Sequence, residues 1–124
     1  MSVFDINNDN ILEVTGEYLE SLGFSQVSGE YLFASYIPVY GPITTRLNIV
    51  YLTKTQQLSA GVYNVTENHT IGPTHVNDML EVISFIDRAK CLMIQLQKKL
   101  YEGHGKKWYC EPMDKDNPFK IVLL

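Results

Sequence analysis

TENHTIGPTH, residues 66–75, stands between a β-rich half of the chain and a long helical stripe, and the fold turns on whether it is a site or a connection. It holds two of the chain's three histidines, His69 and His75, beside Glu67, Asn68 and three threonines. A metal needs several converging ligands, such as two histidines one helical turn apart, and this spacing supplies none. A histidine base needs a nucleophile and an orienting acid, and no such triad order is visible. The specific signals are those of a helix start. Gly72-Pro73 stops the preceding structure, Thr74 or Asn77 caps the helix, and Asp78 and Glu81 sit in its first turn, where the helix dipole favours negative charge. The stretch therefore reads as a loop into the longest helix, with no catalytic residue, metal or cofactor.

Downstream, Met79, Val82, Ile86, Ala89, Met93, Leu96 and Leu100 recur at alternating spacings of three and four. That is a helix from about Val76 to Tyr101, with a heptad-like seam widened by Ile83, Phe85, Leu92 and Ile94. Upstream, three segments rich in β-branched and aromatic residues run over Glu30–Tyr40, Thr44–Lys54 and Leu58–Val65, separated by turn formers. Sequential strands with short links make an antiparallel meander. In its middle strand Leu47, Ile49 and Tyr51 share one apolar face, and Pro38 marks an edge or bulge in the first. Before the strands, Ile11, Leu12, Val14, Tyr18, Leu19 and Leu22 predict a helix from Asn8 or Asp9 to Leu22, closed by Gly23. After the long helix, a polar segment leads into FKIVLL, whose residues 119–123 predict a short strand that joins the sheet edge or covers the helix. The expected fold is α+β: an N-terminal helix, a three-stranded antiparallel meander, a long C-terminal helix and a short final strand, one domain over residues 1–124.

The totals agree with a globular chain. Over 124 residues, 45% are hydrophobic and 19% charged, enough for one core. A net charge of −4 argues against a nucleic-acid partner, which needs clustered Lys and Arg, and mildly favours a basic one. The start MSVFDINNDN is not a signal peptide and no apolar run reaches membrane-spanning length, so the expectation is a cytoplasmic protein with no membrane partner. Cys91 and Cys110 carry no metal-ligand spacing, and Cys91 reads as an incidental thiol on the outer side of the helix. The acidic and amide residues of DINNDNILE lack the glycine and the final glutamate of a calcium loop and read as helix-capping groups.

Function is the least legible level. GHGKKWYC, residues 103–110, gathers Lys106, Lys107 and Trp108 but reads first as a helix terminus, with Gly103 ending the helix and Lys98, Lys99 and His104 complementing its dipole. With no catalytic motif, the leading expectation is a non-enzymatic binding protein of adaptor, immunity or inhibitor type, phage-encoded inhibitors of host defences included. It would act on a protein partner and form a homodimer through Tyr36, Tyr40, Met79, Ile86 and Met93. The alternative is a small-ligand binder for a nucleotide or metabolite, with Arg46, Tyr51, Tyr63, His69, His75, Lys107 and Trp108 around a pocket between sheet and helix or at a dimer interface.

Overall fold

The computed structural model describes residues 12–36, 45–103, 105, 107–112 and 119–123. Element order is α1 (Gly16–Ser21), β1 (Ser25–Val27), β2 (Glu30–Tyr36), β3 (Arg46–Leu52), β4 (Gln57–Tyr63), β5 (Asn68–His75), α2 (Met79–Gly103), β6 (Trp108–Pro112) and β7 (Phe119–Leu123). Strands β1 to β5 form one antiparallel sheet in sequential order, and β6 and β7 pair separately. The meander therefore has five strands rather than three.

Both added strands lie at the edges, where an apolar–polar alternation is not required. All three residues of β1 are exposed. It is tied to β2 by a two-residue turn in which Ser28 and Gly29 have φ of 52° and 83°, matching the twist of a tight hairpin. Strand β5 is the stretch expected to be a loop. Only Ile71 and Thr74 are half-buried along it, so it lacks the periodicity that reveals an inner strand.

Gly72-Pro73 does not end the preceding structure; it makes a bulge within β5. Leu58 pairs with Thr74 and Ala60 with Ile71, so Ser59 faces both Gly72 and Pro73. Proline is tolerated because the strand is at an edge, and glycine is required because its φ is +87°. A Cβ at Gly72 would also lie 2.6 Å from the Leu58 carbonyl oxygen.

The first helix is shorter than its apolar spacing suggests. Leu12 to Thr15 are not helical, and the expected start at Asn8 or Asp9 lies outside the described residues. Thr15 is extended, and its hydroxyl accepts the Tyr18 N–H, which makes it the N-cap. The Leu12 carbonyl instead accepts the Met79 N–H and ties this segment to the start of α2. Gly23 closes α1 as expected, with φ of +106°. Its N–H and that of Phe24 reach back to the carbonyls of Glu20 and Leu19.

Helix α2 begins at Met79, later than expected, because Val76 still belongs to the sheet side and donates its N–H to Gln56. Its cap is Asp78 rather than Thr74 or Asn77. Asp78 accepts the Glu81 N–H at 2.9 Å, while the Glu81 carboxylate reaches back to the Asn77 N–H. All seven residues of the periodic stripe are buried, joined by Phe85, Gln97 and Tyr101. Those from Met79 to Leu96, with Phe85 and Tyr101, share one core cluster with Leu47 and Ile49 of β3, Leu58, Ala60 and Val62 of β4, and Leu19, Phe24 and Phe33. Strand β7 pairs with β6, not with the larger sheet. Pro38 and Tyr40 lie outside the described residues.

The bulge gives a direct stability test. Gly72→Ala should cost about 1–3 kcal/mol, through strain at positive φ and the contact with Leu58. Gly61→Ala, at a position with open space and ordinary backbone, should leave stability within about 0.5 kcal/mol. Urea denaturation of the two variants checks both.

Candidate functional site

The bulge decides where the two histidines go. His69 pairs with Val62, whose side chain is in the core under α2, so His69 emerges on the helix side of the sheet. On a regular strand His75, six residues on, would share that side. The extra residue reverses the alternation: His75 pairs with Gln57 and belongs to the opposite face. The histidines do not converge. Among the described residues, no group of three or more His, Cys, Asp or Glu side chains is placed to hold a metal ion.

His69 instead joins a small polar cluster at the rim between β5 and α2. Glu67 accepts from Lys99 Nζ at 3.2 Å and lies 3.0 Å from His69 Nε2. The hydrogen bond with His69, then that with Lys99, holds the Glu67 carboxyl below its ordinary range. Strand alternation puts residues 67 and 69 on one side, so the pairing was legible once the stretch is known to be extended. Lys99 is added by α2, thirty-two positions away. A hollow of about 380 Å³ lies here, lined by Thr66, Glu67, Lys99, Leu100 and Gly103.

At the start of α2, His75 borders a groove of about 420 Å³ with Asp78, Glu81, Ser84, Phe85 and Arg88. The carboxylates there are engaged in capping α2. The Arg88 guanidinium lies 5.5 Å from the Phe85 ring centre, within cation–π range. Leu80 stands exposed beside them at 65%.

The remaining expected residues are dispersed. Tyr51 is in the core, and burial raises its phenol pKa. Arg46 is exposed on the outer sheet face, paired in register with Tyr36 and Tyr63. Asn48 donates to the Tyr63 hydroxyl at 3.3 Å. A hollow of about 300 Å³ adjoins Ala34, Ser35, Arg46 and Asn48. Lys107 is exposed just before β6, which Trp108 opens. Met79, Ile86 and Met93, the expected interface residues of α2, are 3%, 5% and 0% exposed and belong to the core of their own chain. Cys91 is exposed.

One feature under the last turns of α2 was not foreseen. Gln97, fully buried, accepts a hydrogen bond from the buried Thr45 hydroxyl. The Tyr101 phenol is buried with it, and that burial raises its pKa, an effect partly offset by Gln97. The only sequence signal is position: residues 97 and 101 directly follow the stripe residues 96 and 100.

Because Glu67 has a lowered pKa in the folded chain, its contribution to stability is complete above its ordinary value of 4.5 and is lost as pH falls through the lowered one. Glu67→Gln should therefore lower Tm slightly at neutral pH, and the gap to the wild type should close in acid. The effect is small because the cluster is solvent-exposed; thermal scans of both proteins across pH check it. Comparison of the chain with protein-family models, with curated proteins and with solved structures returned no match, which leaves geometry as the ground for a functional reading.

Proposed function

We propose that the chain is a non-enzymatic binding protein of adaptor, immunity or inhibitor type that works through contacts with a protein partner. The observation that carries this reading is the outer face of the five-stranded sheet. Register places Val27 of β1, Leu32 of β2 and Val50 and Leu52 of β3 on that face. Val27 is 49% exposed and the other three are half-buried. Among the described residues no element packs substantially on it, whereas α2 packs on the opposite face. A contiguous apolar patch rimmed by Glu30, Arg46 and Lys54 is the composition of a protein-binding surface. A second copy of the chain falls within this reading, through this face rather than the α2 stripe.

Val27→Lys with Val50→Lys should reduce recovery of bound protein from a lysate of the source cells at least about tenfold, because charge is placed on both sides of Leu32 within the patch. Tm should stay close to the wild type. Recovery of the same proteins at wild-type level by the double variant contradicts the reading.

A second reading, binding of a small anionic ligand such as a nucleotide, is favoured by Arg46 beside the hollow it shares with Asn48. A ligand at about 100 times its Kd stabilises its protein by about 2.7 kcal/mol. A thermal-shift screen should then find a nucleotide or metabolite whose shift disappears in Arg46→Ala; an unresponsive wild-type protein removes this reading.

A further inference from the structure

The apolar face says nothing about the free edge of β5. The Asn64 N–H bonds to the Glu67 carbonyl, which makes 64 and 67 a hydrogen-bonded pair. Such pairs alternate along an antiparallel ladder. His69 and Ile71 are therefore the residues that exchange backbone bonds with Val62 and Ala60. Asn68 and Thr70 direct their N–H and C=O groups away from β4, and no described strand lies beyond them.

Edge strands are commonly blunted by proline, a bulge or lysine. Here the bulge at Gly72-Pro73 protects only the second half of β5. The first half, Asn68–Ile71, carries no lysine or proline, is largely exposed and contains two β-branched residues. On the helix side of this open half lie His69 and Lys99, both bonded to the Glu67 carboxylate. Lys99 is 67% exposed and spends one hydrogen bond on Glu67, so the ammonium has donors to spare.

We propose that the Asn68–Ile71 edge receives an extended segment of a partner protein as a sixth antiparallel strand, held by the backbone groups of Asn68 and Thr70. The side chain of that segment that faces the helix carries a carboxylate and meets the remaining donors of Lys99. The mode is strand addition, in which main-chain bonds give affinity and alternate side chains give specificity. It rests on the reading of the chain as a protein-binding module and adds the place and the chemistry of one partner segment.

Selection of displayed short linear peptides on the purified full chain tests it. Enriched binders should carry Asp or Glu at one recurrent position. Thr70→Pro removes an N–H that the β4 ladder does not use and sets a ring on the edge, so it should weaken those binders at least about tenfold with Tm preserved. Lys99→Glu, on an exposed helix position, should weaken the same binders to a similar degree. No enrichment, or binders equally tight to the wild type and Thr70→Pro, overturns the proposal. So does a concentration-dependent dimer of the free chain that Thr70→Pro abolishes, because a second copy would then occupy the edge. Binders kept by Thr70→Pro but lost in the Val27→Lys, Val50→Lys double variant leave the protein-binding reading standing and remove the edge.

Discussion

The packing of α2 across β3 and β4 is the constraint on which the other elements depend. Val82, Ala89 and Met93 of the helix and Leu47, Ile49, Leu58 and Val62 of the sheet all have no exposed surface. Each large apolar side chain removed from water contributes about 1.5–3 kcal/mol, and truncating one such as Met93 to alanine costs about 2–5 kcal/mol. No strand of this sheet is stable alone, since a hairpin needs a face to bury. Ala60 and Ala89, both buried in this core, are its smallest side chains.

That single contact also sets what is left over. With α2 on one face, five strands leave an outer face whose apolar residues sit on β1 to β3, and two edges that the helix does not cover. The β1 edge is short. The β5 edge is broken by the Gly72-Pro73 bulge near the start of α2, and just before β5 Glu67 accepts from Lys99 near the helix's end. Exposed ion pairs contribute little to stability, so the Glu67 cluster is better understood as orienting the rim than as holding the fold.

How much of this was legible follows from where each residue lies. The α2 stripe was readable because a buried helix face must repeat at its own period, and β3 and β4 were readable because their alternation serves one buried face. Strand β5 was not, because an edge strand shows no alternation and its Gly72 and Pro73 mimic a turn. The same bulge, invisible in sequence, sends His69 and His75 to opposite faces. The start of α1 was misplaced because Leu12 and Val14 are apolar for a different reason: they precede the helix, where the Leu12 carbonyl accepts the Met79 N–H and Val14 packs against the core. Glu67, Lys99, Thr45 and Gln97 were hidden because their pairings join residues far apart in the chain.

Amide hydrogen exchange resolved by residue across Asn68–His75 tests most directly the claim that this stretch is a strand bonded on one side only. The amides of His69 and Ile71 should be protected and those of Asn68 and Thr70 should exchange fast. Uniformly fast exchange over the whole stretch would make it a loop and contradict the five-stranded sheet. Uniform protection of all four would mean that the far edge is already covered in the free chain.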